Sequence, residues 1–430
     1  MSSDDLVIPK GSLVVVTGAN GFIGSHVVDQ LLQHGYNVRG TVRNVAKNSW
    51  LNDYFSAKYG PGRFSLAEVP DMSHEGAFDE VVKGAAGIAH VATPVRQFHD
   101  PNIAVPMVVN GTLNVLASAA AEPSMRRVVI TSSSTAAASP QPNKVFTMDE
   151  KTWNETAVKA AWAPPPYEGL QRRLDVYSAT KTQAEQAAWK FMEDKKPDFV
   201  LNTVLPNVNM GTILSPENQG YPSSGGWVKA VWDGFPGEEG EKLKYNPPQY
   251  YVNVQDDALV HVAALIYPDV QNERLFAFAH PYSWNDILDA LRRLYPQQKF
   301  IDDIPNIGED KSKVANQRAE ELLKRVSGLP AWTSLEQSVH DATKAWYPIS
   351  RIIYNVFFSP LSHVPGPISW SATRVPFIWA LLRGTIVHDF EKMHRRYGPV
   401  VRTASATSPG SVVLGRPGHV GRVQPMPDYY

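Results

Sequence analysis

The sequence predicts an α/β fold: a doubly wound parallel sheet covered by helices, followed by a smaller C-terminal lobe and a poorly structured C-terminal appendage. Three observations predict it. Short β-branched runs alternate with longer helical patterns through the N-terminal half. Three glycines punctuate the turn between the first strand and the first helix. The alternation fades after residue 205 into turn-rich sequence, and composition shifts again after residue 346 toward proline, aromatics and arginine.

The elements follow in order. Residues 13–17 read as a first strand and 22–33 as a helix; 37–42, 64–69, 87–91, 127–131 and 199–205 read as further strands. Residues 113–121 and 179–192 have helical spacing. Beyond 206 the turn Ser223-Ser224-Gly225-Gly226 precedes helical runs at 256–267, 284–294 and 319–326. This organisation divides the chain into a core (1–205), a lobe (206–346, with some segments returning to the core) and an appendage (347–430).

Composition narrows the function. With 43% hydrophobic and 19% charged residues, 430 residues suffice for a normal core. A net charge of -1 gives no overall basic field to draw nucleic acid or an anionic membrane. There is no cysteine, which excludes disulfides, thiolate metal sites, cysteine nucleophiles and a thiolate-ligated haem. The first eleven residues lack a leader's basic and apolar regions, so the expected address is cytoplasmic. No uninterrupted apolar run of about 18 residues appears, so no membrane span is expected; the nearest stretch, 375–382, is too short.

The first turn reads Thr17-Gly18-Ala19-Asn20-Gly21-Phe22-Ile23-Gly24. One glycine permits the tight turn, one admits backbone amides to a pyrophosphate, and one lets the helix pack close to the strand. The helix start at Phe22 adds amide donors and positive partial charge for phosphates. A bland strand-turn-helix is the competing reading, but strand, glycines and helix stand in register. Gly18, Asn20, Gly21, Phe22, Ile23 and Gly24 are therefore expected to hold a dinucleotide.

The second strand ends without a carboxylate; no acid lies between Asp29 and Asp53, and the segment reads Val38-Arg39-Gly40-Thr41-Val42-Arg43 with Lys47 following. A ribose 2'-hydroxyl calls for an acid there, a 2'-phosphate for a cation. The cofactor expected is NADP(H), with Arg43 the main clamp and Lys47 secondary. Asp71 fits the adenine amino group, or equally a helix cap.

Tyr177 and Lys181 stand four residues apart on one helix face. The ammonium, together with the nicotinamide cation of the oxidised cofactor, is expected to lower the phenol's pKa, so that tyrosine acts as general acid toward a carbonyl oxygen. Tyr54 with Lys58 and Tyr295 with Lys299 share the spacing, but only Tyr177 follows the serine-rich strand end Thr131-Ser132-Ser133-Ser134 and precedes another strand. Ser133 is the expected carbonyl-polarising hydroxyl, with Ser134 as the alternative because the register is open by one residue. Asn110 suits a water-mediated relay or, more simply, a helix cap. His26 and His90 read as packing residues, and His388 with His394 lack the partners of a metal site.

These segments resemble the extended short-chain dehydrogenases. More narrowly, residues 11–18, 187–192 and 247–252 are similar to yeast NADPH-dependent aldehyde/carbonyl reductases, relatives of dihydroflavonol and cinnamoyl-CoA reductases, over residues 8–345. The resemblance implies a Rossmann-type core, reduction of a small-molecule aldehyde or ketone, Ser133, Tyr177 and Lys181 as catalytic positions, and Arg43 at the 2'-phosphate. It also implies Pro206 near the carboxamide and substrate lining from 93–98 and 221–227. The motifs are shared by nucleotide-sugar epimerases or dehydratases and by steroid-type dehydrogenases; from another class, a non-catalytic NADP-sensing regulator also fits. Monomer and homodimer are both compatible. The appendage, in Tyr354 to Leu361, Val364 to Pro367 and Arg395 to Arg402, resembles the start of a fungal haem-thiolate monooxygenase, and the reading is a remnant joined from a neighbouring gene, with no haem expected and a fungal biosynthetic setting.

Overall fold

The computed structural model describes residues 6–93, 98–347, 385–397, 400–403 and 411–414, with a few single positions between 367 and 383. The chain divides into two units, Met1–Thr343 and Lys344–Tyr430.

The first unit starts at the centre of its sheet. β1 (Leu13–Thr17) runs into α1 (Phe22–Gln33), then β2 (Asn37–Val42), α2 (Trp50–Tyr59) and β3 (Phe64–Glu68) step outward on one side. β4 (Ala85–His90) then returns to pair with β1 on its other edge, followed by α3 (Pro101–Ala121) and β5 (Arg127–Thr131). After the short β6 (Thr147–Met148) and α4 (Glu155–Ala161) comes α5 (Leu170–Lys195), which leads to β7 (Val200–Pro206). The chain order reverses between β1 and β4, so the carboxyl ends of those strands open a crevice where ligands of such sheets bind.

The remaining elements build the lobe and one more sheet strand. They are β8 (Val208–Met210), α6 (Pro216–Gln219), α7 (Trp227–Trp232), α8 (Gly237–Lys244), β9 (Gln249–Asn253) and α9 (Val254–Ile266). After them come β10 (Arg274–Ala277), β11 (His280–Tyr282), α10 (Trp284–Leu294), β12 (Lys313–Val314), α11 (Gln317–Ser327) and α12 (Leu335–Thr343). β10 pairs parallel with β7 and completes a seven-stranded parallel sheet in the order β10-β7-β5-β4-β1-β2-β3. β8, β9 and β11 form a separate three-stranded sheet.

The strands are near-continuous apolar runs because helices cover both faces. Val15, Ile88, Leu116, Val128 and Leu201 share one fully buried cluster, each such side chain contributing about 1.5–3 kcal/mol by leaving water. On the other side α1 packs against α9. Gly40 lies where β2 meets its neighbours: a Cβ there would sit 2.6 Å from the Ala19 Cβ and 2.9 Å from the Phe64 ring.

Three expectations need correction. The helix expected at 113–121 begins at Pro101, where Asp100 caps it by accepting from the Asn102 N–H at 2.9 Å; Pro101 suits a first turn and Pro106 is tolerated inside it. This helix is long and apolar enough to cross a membrane by length and composition, although half of its most apolar window is buried and it packs on α5. The helix expected at 179–192 spans Leu170–Lys195, which places Tyr177 inside it. The strand β10 had no counterpart among the expected core strands.

In the second unit α13 (Ile386–Tyr397) carries His388 and His394, and β13 (Val400–Thr403) pairs antiparallel with β14 (Ser411–Leu414). Most of the stretch 354–367 lies outside the described residues. No group of three metal-ligating side chains occurs among the described residues.

Candidate active site

The carboxyl ends of the central strands open into one cleft of about 1460 Å³, room for a dinucleotide and a substrate together. At its floor, Gly18 turns with φ +66°, and a Cβ on it would meet the Ala92 backbone at 3.1 Å. A Cβ on Gly24 would lie 2.2 Å from the Gly18 carbonyl oxygen. Only glycine lets α1 start so close beneath the turn, and the amides of its first turn are those a helix leaves without internal partners. Gly18, Asn20, Gly21, Phe22, Ile23 and Gly24 all line the cleft. Gln219, which the sequence reading missed, braces this loop: its Nε2 donates to the Asn20 carbonyl at 3.1 Å and to Ser25 Oγ at 3.1 Å.

Along the same cleft stand Thr41, Val42 and Arg43 from the end of β2, then Asp71. Arg43 is exposed there. Lys47 is also exposed but is absent from the lining; its backbone N–H donates to Asn44 Oδ1 at 2.9 Å within a short turn. Asp71 accepts from the Ser73 N–H at 2.8 Å and the Ser73 hydroxyl at 2.7 Å, which hold its carboxyl below the usual range. It is a turn cap that also borders the cleft. The glycine cradle, the cation at the β2 end and the size of the cleft fit a nicotinamide dinucleotide phosphate.

The three residues expected to react, Ser133, Tyr177 and Lys181, line the same cleft. Tyr177 lines the cleft and is 37% exposed. Burial pushes its phenol up, and the hydroxyl of Ser133 draws it back. Ser133 is the serine that acts on the phenol, and Ser134 lines the same cleft; the Ser133 Oγ also accepts from Thr135 Oγ1 at 3.1 Å. Ser132 points elsewhere, donating to Glu185 Oε2 at 2.6 Å. Pro206 at the end of β7 lines the cleft with Asn207 and Val208.

Lys181 is buried, donating to Thr93 Oγ1 at 2.8 Å and to the Thr131 carbonyl at 3.1 Å. Burial brings it down to about 8, partly offset by Glu185. Without cofactor the phenol's acidity follows burial first and Ser133 second, while the ammonium donates to Thr93 and Thr131.

The competing pairs are engaged otherwise. Lys58 is ion-paired with Asp29 at 2.7 Å, and the Tyr295 hydroxyl is hydrogen-bonded to Thr343. Asn110 lies exposed in the middle of α3, neither capping it nor lining the cleft. His26 Nε2 meets the Thr212 carbonyl at 2.7 Å and His90 Nδ1 meets Thr17 Oγ1 at 2.9 Å, both in packed surroundings. Of the expected substrate lining, Thr93, Pro222, Ser223, Ser224 and Trp227 border the cleft, while residues 94–97 lie outside the described residues.

Residues 14–209 match the model of the NAD dependent epimerase/dehydratase family. Aldehyde reductase 2 of Sporidiobolus salmonicolor is 46% identical over 339 residues, covering 79% of this chain and 97% of that protein. Ketoreductase adrE of Penicillium rubens is 39% identical, covering 77% and 96%. Among solved structures, yeast methylglyoxal/isovaleraldehyde reductase Gre2 complexed with NADPH is similar at a TM-score of 0.63 and 26% identity, covering 77% of this chain and 97% of that one.

Proposed function

The chain belongs to the NAD dependent epimerase/dehydratase family, and from that premise we propose that it reduces an aldehyde or ketone to an alcohol using NADPH. The observation that carries the reading is the convergence of Ser133, Tyr177 and Lys181 on one cleft that also holds the glycine turn and Arg43. Relatives named as aldehyde reductase and ketoreductase support the reaction class, and the NADPH complex of the similar yeast reductase supports the cofactor.

In this reading Gly18 to Gly24 receive the pyrophosphate and Arg43 pairs with the 2'-phosphate, with Lys47 a weaker contributor and Asp71 beside the adenine. Pro206 presents backbone to the carboxamide. When bound, the nicotinamide supplies hydride to the carbonyl carbon. Tyr177 delivers its phenolic proton to the carbonyl oxygen, a step for which a phenol kept protonated by burial is suited. Ser133 donates to the same oxygen as charge develops on it. Lys181 holds the nicotinamide ribose and, while charged, stabilises the phenolate left once the proton has gone to the carbonyl oxygen. The core at 1–205, the lobe over its carboxyl edge at 206–346 and an inert appendage beyond are part of the same proposal, as are a cytoplasmic address and a fungal biosynthetic setting.

The test is cofactor oxidation by the full chain, with NADPH and with NADH, across aromatic aldehydes, keto esters and steroid ketones. NADPH-preferring turnover of at least one class is expected. Tight NADPH binding without turnover across the panel would instead favour a cofactor-sensing regulator.

A further inference from the structure

Glu185 lies one helical turn beyond Lys181 on α5 and is 1% exposed. A carboxylate so buried needs partners, and it has several on both oxygens. Ser132 Oγ donates to Oε2 at 2.6 Å, Thr203 Oγ1 to Oε1 at 2.8 Å, and Arg274 Nε to Oε1 at 2.8 Å. Arg274 is itself stacked on Trp153 at 3.8 Å and donates to the Glu150 and Thr152 carbonyls, so this ion pair is fixed in place. Glu185 thereby joins the catalytic helix to strands β7 and β10 and to the turn that follows β5.

We infer that Glu185 is a positioning residue for the reaction, gripping Ser132 so that the next residue, Ser133, presents its hydroxyl to Tyr177, and facing Lys181 so that the ammonium stays in place. The inference rests on the reductase reading. Ser133 follows directly with an extended backbone, φ -160° and ψ 153°, so a clamp on Ser132 fixes the backbone from which the Ser133 hydroxyl projects. Lys181 and Glu185 also border one small internal pocket of about 10 Å³ together with His90, Thr93 and Ser132, about the size that admits a single water. Within it the carboxylate opposes the effect of burial on the lysine.

The other titratable groups around Lys181 are Tyr177 on its own helix, His90 from β4, His261 and Asp257 of α9 behind Thr131, and Arg274 behind Glu185. Burial takes His90 down to about 3 and His261 to about 4, so both are neutral across the assay range. Asp257, brought to about 8, titrates in the same range as Lys181 but is common to every variant compared.

The experiment compares pH profiles of kcat, with NADPH and one turned-over carbonyl, for the full-length wild type, Glu185→Gln, Glu185→Asp and Ser132→Ala. Wild-type turnover in parallel separates the two ideas, since its absence counts against the reductase reading and not against this one alone. In Glu185→Gln the alkaline limb is expected to move to lower pH by about one unit, so that the rate approaches tenfold below wild type above the wild-type midpoint, with the carbonyl KM nearly unchanged. Glu185→Asp keeps the charge and loosens Ser132, so kcat falls while the limb stays; Ser132→Ala behaves likewise. A folded Glu185→Gln variant with the wild-type limb overturns the inference. If that variant does not fold, a displaced limb or an undiminished kcat in Glu185→Asp overturns it instead.

Discussion

Lys181 donates a hydrogen bond to the Thr131 carbonyl oxygen across 3.1 Å, tying the middle of α5 to the last residue of β5. The same Thr131 is held from beneath, its Oγ1 lying 2.7 Å from His261 Nε2. The lysine is therefore part of the scaffold as well as a charge. Replacing it by methionine removes its hydrogen bonds to Thr93 and Thr131, and kcat is expected to fall on the order of 10²-fold or more, with weaker NADPH binding. Steady-state kinetics and a cofactor titration separate the two effects; unchanged turnover would deny Lys181 any part in the chemistry.

Tyr177→Phe keeps the ring against the cleft and deletes only the hydroxyl that meets Ser133. Turnover is expected to drop roughly 10²–10⁴-fold with NADPH affinity within a few-fold of wild type, as read by cofactor fluorescence. The pH dependence follows from signs. The phenol, raised by burial, stays protonated below its elevated pKa, whereas Lys181 loses its charge as pH rises through about 8. Reduction is thus expected to decline on the alkaline side at the lysine's pH, and a decline beginning only where a free phenol titrates would reverse the assignment.

Much of this was legible in the residues. β1 and β2, with α1 between them, form as their patterns predict because a buried parallel strand is an apolar run and the glycine turn leaves one connection. Arg274-Leu275-Phe276-Ala277 has too few residues to show a period, and only its pairing with β7 makes it a strand. The start of α3 hides behind Pro101 and Pro106, which read as breakers in isolation. Glu185 carries no sequence signal beyond its spacing from Lys181, since an acid in a helix is ordinarily solvated. Its importance arises from Ser132, Thr203 and Arg274, which lie 53, 18 and 89 positions away.

Arg43 offers the specificity test. It stands exposed at the end of β2 and lines the cleft with Asp71, so it is free to move onto a phosphate with little rearrangement. A charge-assisted contact of this kind contributes about 1.5–3 kcal/mol. Arg43→Ala should therefore lower kcat/KM for NADPH by roughly ten- to a hundred-fold and leave the NADH value almost unchanged. Equal losses with both cofactors would place the 2'-phosphate elsewhere.

Gly24→Ala tests the cradle. The added Cβ would stand 2.2 Å from a backbone oxygen, a contact that no rotamer relieves, so α1 must move away from the Gly18 turn. Overpacking of this kind costs about 1–3 kcal/mol or more. The expected result is a lower Tm together with NADPH affinity reduced by at least about tenfold; an unaltered affinity would show that the turn does not carry the pyrophosphate.

Asp257 links the region beneath the site to stability. It is fully buried in the first turn of α9, neither carboxyl oxygen reaches good hydrogen-bond geometry among the described residues, and burial pushes it up to about 8 although Asn209 draws it back. In the unfolded chain the same group titrates near 3.8. Between those two values the folded protein holds a proton that the unfolded chain has released, so stability falls as pH rises through this window and levels off above about 8. Asp257→Asn has nearly the shape of the protonated acid and cannot titrate, so the variant should be more stable than wild type at pH 8, by an amount on the order of a few kcal/mol. That advantage should shrink toward pH 5. Asp256, raised to about 6, and the lowered His261 add slopes of their own, but both are present in the two proteins and largely cancel in the difference. Thermal unfolding at both pH values decides it: a variant less stable than wild type by the same margin at each pH would mean that the carboxylate is ionised in place and held by His261, whose Nδ1 lies 3.4 Å from Oδ1.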